Sequence, residues 1–189
     1  MKVNQKELIS ELNNLTDKAI GSVNQFKNLT LVQLNYKHSQ NSWSVLECIE
    51  HLNLYGKFYL PEIEKVILLA QNVESNNNYK SSLLGDFFVN SIKAENKKKM
   101  KATLMMTPQG SELSYTSLDM FLKQLERLSY ILKKCENKDL IKVKTSISLT
   151  KFLKLRLGDT LRFLVYHNER HILQAENVLK QSLKNKTFS

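Results

Sequence analysis

His167 and His171 stand four residues apart in the segment Tyr166-His167-Asn168-Glu169-Arg170-His171-Ile172-Leu173-Gln174-Ala175. Around them Leu161, Leu164, Val165, Ile172, Ala175, Val178, Leu179 and Leu183 recur at the spacing of one helical face. The two imidazoles fall on the flank of that face, so they look inward. At i and i+4 they sit on neighbouring turns and can point at one object. A pair of this kind is either a buried hydrogen-bonding pair or two thirds of a metal site.

A second stretch carries another inward histidine. Val45, Ile49, Leu52, Tyr55 and Tyr59 form an apolar side, and His51 lies at its edge with Glu47, Cys48, Tyr55 and Phe58 on adjacent turns. Ser44-Val45-Leu46-Glu47 is a capping box that starts this helix, with Trp43 placed to staple onto Cys48. Pro61 falls inside the apolar pattern, so the helix kinks there or restarts with Pro61 in its first turn. Cys48 is one turn from His51 and within reach of a shared ligand, although a small buried residue against Trp43 explains it as well. Glu47 can orient His51 or act as a base, and its capping role accounts for it equally. Tyr55 and Tyr166 have polar tips that can reach a substrate, with aromatic packing the default. Arg170 and Glu169 read as surface or interface residues, and His38 as solvated in a polar loop.

The elements that must position these groups are long helices. Leu8, Leu12, Leu15, Ala19, Val23 and Phe26 mark a first amphipathic helix over about residues 6–28, followed by a polar connection. The second helix begins after Ser44. Residues 71–82 turn polar and read as an exposed loop, and an apolar piece at 83–92 suits a lid or bracing helix over one end of the core. Residues 107–111 read as a loop. A third helix begins near Thr116, with Leu118, Phe121, Leu122, Leu125, Leu128, Leu132 and Cys135 at helical spacing. Residues 137–157 are mixed, and the alternation at 141–144 is too short to establish a strand. Gly158-Asp159 opens the fourth helix, with Asp159 as its expected cap. Four long amphipathic helices with long second and third connections predict an all-α four-helix bundle, braced by short helices, in one domain over residues 1–189.

Composition narrows the classes. A chain of 189 residues can bury a sizeable core without staples, and only five Gly and two Pro argue against a sandwich or barrel. Two cysteines make no disulfide framework and fit a reducing compartment. No stretch reads as a signal peptide or a bilayer span, so a cytoplasmic protein without a membrane partner is expected. The net charge of +10 is spread along the chain, with one dense run at 93–101, and aromatics are not interleaved with the lysines. That pattern is a solvated face rather than a specific nucleic-acid surface.

The stretch Asn41-Ser42-Trp43-Ser44-Val45-Leu46-Glu47-Cys48-Ile49-Glu50-His51-Leu52 resembles the second-helix signature of the DinB-like family. Leu157-Gly158-Asp159, followed by His167-Asn168-Glu169-Arg170-His171-Ile172-Leu173-Gln174, resembles its fourth-helix signature. Order and spacing match over nearly the whole chain. The resemblance implies a four-helix bundle in which one histidine of the second helix and two of the fourth bind a divalent metal. Carried over, those are His51, His167 and His171, with Glu47, Cys48 and Tyr55 as candidate supporting residues. Three neutral imidazoles suit zinc or nickel and leave a coordination position open. The family includes thiol S-transferases and proposed metal-dependent hydrolases, and homodimers are common in it. The expected function is therefore a metal-dependent enzyme acting on a small molecule. It would transfer a low-molecular-weight thiol to an electrophile or hydrolyse a small amide or ester. A non-catalytic metal- or ligand-binding dimer and a basic nucleic-acid-associated protein are the alternatives.

Overall fold

The computed structural model describes residues 1–73, 78–96, 103–108, 113–148 and 150–186, without the side chains of 151 and 183–186. Much of the lysine-rich run and part of the 107–111 segment lie outside these residues.

Four long helices, α1 (Gln5–Phe26), α3 (Val45–Leu69), α5 (Tyr115–Cys135) and α6 (Leu157–Lys186), form the bundle. α3 packs on α5 and α6, and α1 packs on the same two helices, leaving α1 across the diagonal from α3 and α5 across from α6. Chain neighbours are thus not all spatial neighbours, which is what the long connections allow. The short helices α2 (Leu31–Leu34) and α4 (Leu83–Ile92) and a 3-10 turn, η1 (Leu104–Met106), brace the outside. α4 rests on α6, as the bracing expectation required, and η1 rests on α3.

Local chemistry explains the helix starts. Asn4 accepts hydrogen bonds from Lys6 N and Glu7 N to open α1. Ser44 and Glu47 form the reciprocal capping box of α3, and α3 then runs as one helix through Pro61. The buried Gln5 turns its amide to the end of α5, donating to the carbonyls of Cys135, Glu136 and Lys138. Cys135 and Glu136 end α5 and Lys138 follows it, so this contact sets α1 against the end of α5.

Two short antiparallel ribbons depart from the all-loop reading of the connections. β1 (Lys2–Asn4) pairs with β2 (Asn78–Lys80), inside the stretch expected to be an exposed loop. Three residues are too few for alternation to register, but Tyr79 is fully buried and pins the ribbon to the core. β3 (Lys144–Ile147) and β4 (Thr150–Arg156) form a hairpin just after the alternation noticed at 141–144. Glu62 and Tyr59 of α3 receive the backbone N–H groups of Ser146 and Ser148, which ties that hairpin to the bundle.

Asp159 is not the cap of α6. The helix begins at Leu157, straight from β4. Its first N–H groups are satisfied by backbone carbonyls, Leu157 N by Val143 and Gly158 N by Leu140. No side-chain cap is needed there. Asp159, fully buried in the first turn, instead accepts hydrogen bonds from the hydroxyls of Tyr79, Ser81 and Ser82 and from Ser82 N. Arg170, read as a surface or interface residue, donates to the carbonyls of Lys93 and Asn96 and holds the end of α4 to α6.

The core divides into two apolar clusters. One gathers Val45, Ile49 and Leu52 of α3 with Ile172, Ala175 and Val178 of α6. The other gathers Tyr59, Leu60 and Ile63 with Leu161, Phe163 and Leu164. On α6, His167 and His171 lie in sequence between the two clusters, and on α3 His51 lies near the end of the first, next to Leu52.

Candidate metal centre

α3 and α6 carry two rows of rings at four-residue spacing, His51, Tyr55 and Tyr59 along one, Phe163, His167 and His171 along the other, and Trp43 stands just before α3. The rows meet at the histidines. His51 lies with its ring centroid 5.0 Å from that of His167 and 4.5 Å from that of His171, and His167 and His171 are 4.6 Å apart. One nitrogen from each of the three comes within 4.8 Å of the others. His51 and His167 are nearly buried, at 2% and 4% exposure, while His171 keeps part of its surface open.

The hydrogen bonds around the rings decide which nitrogens face inward. His51 Nδ1 bonds the carbonyl oxygen of Met106 in η1. A carbonyl has no proton to give, so Nδ1 is the donor and Nε2 carries the lone pair. His171 Nδ1 lies 2.9 Å from Gln174 Oε1, which by the same logic leaves its Nε2 as the acceptor. His51 Nε2 faces His167 Nε2 at 3.2 Å. Two nitrogens bound to one tetrahedral ion at about 2.0–2.1 Å would stand about 3.3–3.4 Å apart. His167 Nδ1 is buried with no hydrogen-bond partner among the described residues.

Electrostatics favours free lone pairs. Burial pushes the His51 imidazole down to about 4, against the opposing pull of the Met106 carbonyl. Burial, and then neighbouring His51, takes His171 down to about 3. His167 falls well below its ordinary value through burial and then the His171 and His51 rings. All three are neutral at neutral pH, the form in which imidazole binds a metal.

The surroundings sort the other candidates. Tyr55 lies against His167 at 4.2 Å and His51 at 4.9 Å, and burial raises its phenol to about 12. Trp43 covers the other side, 4.8 Å from His51 and 5.8 Å from His171, and it packs on the cluster that includes Cys48. Burial, with the nearby Glu47 charge, raises the Cys48 thiol to about 12, so without a metal it is a neutral thiol at neutral pH. Glu47 is engaged by Ser44 N and Lys37 Nζ rather than by His51. Glu50 accepts from Asn53 and Ser117. His38 is exposed, as its polar loop suggested. The supporting groups missed from the sequence are Met106 and Gln174. A backbone carbonyl from a distant turn leaves no sequence signal, whereas Gln174, three residues after His171, was within view.

A surface depression of about 630 Å³ runs along Lys6, Ser10, Asn14 and Lys18 of α1, and none of the three histidines lines it.

A model of the DinB superfamily matches residues 18–175. Among solved structures, YfiT from Bacillus subtilis, described as a probable metal-dependent hydrolase with an unusual four-helix bundle topology, matches with a TM-score of 0.54 at 14% identity. The match covers 94% of this chain and 87% of that one. At that identity it is the fold that is shared. No curated protein sequence matches the chain.

Proposed function

The chain belongs to the DinB superfamily, and from that premise we propose that it is a metal-dependent enzyme hydrolysing a small ester or amide. In this reading His51, His167 and His171 hold one divalent ion, zinc or nickel. The single observation that carries it is the orientation of the rings: Nδ1 protons of His51 and His171 are given to oxygens outside, and their Nε2 lone pairs remain for the centre. The all-imidazole donor set suits those two metals over magnesium or calcium. When bound by three protein ligands, such an ion keeps a position for water, a thiol or a carbonyl oxygen and lowers the pKa of what it holds. The chain's own residues orient the imidazoles and wall the site with Trp43, Tyr55 and Phe163. Trp43, Tyr55 and His171 are each partly exposed, which supports access to the centre from solvent.

Transfer of a low-molecular-weight thiol to an electrophile uses the same centre, and the description of YfiT favours hydrolysis of the two. No described helix is long and apolar enough to cross a membrane. The two buried free thiols, Cys48 and Cys135, support a reducing, cytoplasmic setting. Exposed apolar side chains on α4, Leu83 and Phe87, support assembly as a homodimer.

Metal analysis of untagged protein should return one divalent ion per chain. A screen of small esters, amides, and thiols with electrophilic acceptors should then show turnover that chelation removes and that His167→Ala lacks. Metal-loaded protein inert to the whole screen, or a fourth protein ligand closing the centre, would establish the non-catalytic reading instead.

A further inference from the structure

His171 is the ligand candidate with the least support from burial. It is partly exposed, whereas His51 and His167 are nearly enclosed. A neutral imidazole at a partly open position interconverts between two tautomers of similar energy, and only one presents Nε2 as a lone pair. At His51 the choice is made by the Met106 carbonyl. At His171 the acceptor is a side chain, Gln174 Oε1, three residues further along α6 and 2.9 Å from Nδ1.

We infer that Gln174 is a positioning residue for the third ligand, holding His171 in the Nδ1–H tautomer with Nε2 turned to His51 and His167. The inference rests on the metal reading above for its purpose. Its geometry stands without a metal. Trp43, tilted against the same ring at 5.8 Å, limits its swing but offers no acceptor to Nδ1, since indole nitrogen is only a donor. Outer hydrogen bonds of this kind change metal affinity about 10–100-fold when lost.

Two readouts test it, on full-length protein. Nitrogen-15 NMR of the metal-free chain reports the tautomer of each histidine, and competition with a chromophoric chelator reports zinc affinity. Wild type should show His171 as Nδ1–H. Gln174→Leu should move it toward Nε2–H and weaken zinc binding about 10-fold or more. Gln174→Glu, which keeps an acceptor, should restore both. Gln174 is partly exposed, so neither change disturbs the core. An Nε2–H tautomer in wild type, or zinc affinity unchanged in Gln174→Leu, overturns the inference. Equal losses in the Leu and Glu variants with an unmoved tautomer also overturn it. If wild type binds neither zinc nor nickel, the proposed function falls, and the tautomer measurement still decides the role of Gln174.

Discussion

α6 carries two buried polar clusters, and they are built on opposite terms. At its first turn Asp159 faces donors: three hydroxyls and a backbone N–H converge on one carboxylate. Arg162, 2% exposed, donates to Ser81 Oγ and Asp86 and stands 3.8 Å from Asp159. Two turns on, His167 faces His51, acceptor toward acceptor or donor toward acceptor according to tautomer, and His167 Nδ1, like Arg162 Nε in the first cluster, has no partner among the described residues. Complementary groups close on each other and make structure. Like groups that converge leave a place for something of opposite charge. Burial is comparable in the two clusters, so burial alone does not separate a structural polar cluster from a functional one.

The largest expected effect breaks the closed cluster. Asp159→Ala strands the buried donors of Tyr79, Ser81 and Ser82 and leaves Arg162 with Asp86 as its one carboxylate partner among the described residues, and should cost about 3–5 kcal/mol in urea unfolding of the chelated protein. Gly85→Ala attacks the same place without removing a polar group. A Cβ there would run into the Asp159 carboxylate, so α4 must shift off α6, and the midpoint should fall with it. A wild-type unfolding curve in either variant would mean the cluster is not what holds α4 and β2 to the bundle.

The histidine cluster should respond the other way. His167→Leu removes a buried imidazole with an unpaired nitrogen, so the chelated protein should change by less than about 1 kcal/mol. Zinc binding should disappear. A loss as large as that of Asp159→Ala would make the histidines a structural network and erase the contrast.

Chelation of the wild type should leave the far-ultraviolet circular dichroism helical and lower the melting temperature. At free metal about 100 times its dissociation constant the bound ion would add about 2.7 kcal/mol by mass action. Melting of the helices on chelation would place the metal among the folding requirements, as in a zinc finger.

The smallest effect is a matter of pH. Burial alone would raise the Asp86 carboxyl, but hydrogen bonds from the first amino group, Arg162 and Ser81 outweigh it and bring the value from 3.8 to about 2. A carboxylate held below its ordinary value stabilises the fold above that value. The contribution fades as pH falls from 3.8 through about 2. Wild type should therefore be more stable than Asp86→Asn at neutral pH, with the gap closing across that acid window. A gap constant with pH would show that the ion pair with Arg162 adds nothing.

What the sequence determined by itself is local. The capping box of Ser44 and Glu47 involves atoms three residues apart, and the helical faces of α1, α3, α5 and α6 repeat over many turns, so both are written in neighbouring residues. The inward pair His167 and His171 is local for the same reason, and the family resemblance added His51. Tertiary structure decided everything that depends on distant carbonyls and hydroxyls. Asp159 followed by a long amphipathic run looks like a helix cap until the backbone of residues 140–143 takes over that task and frees the carboxylate for Tyr79, Ser81 and Ser82. Three-residue strands such as Lys2–Asn4 carry too little pattern to be seen, and form because the partner and the buried Tyr79 are supplied from far along the chain. The tautomer of His51, and with it the lone pair the centre needs, is set by a carbonyl 55 residues away whose side-chain identity is irrelevant to the bond.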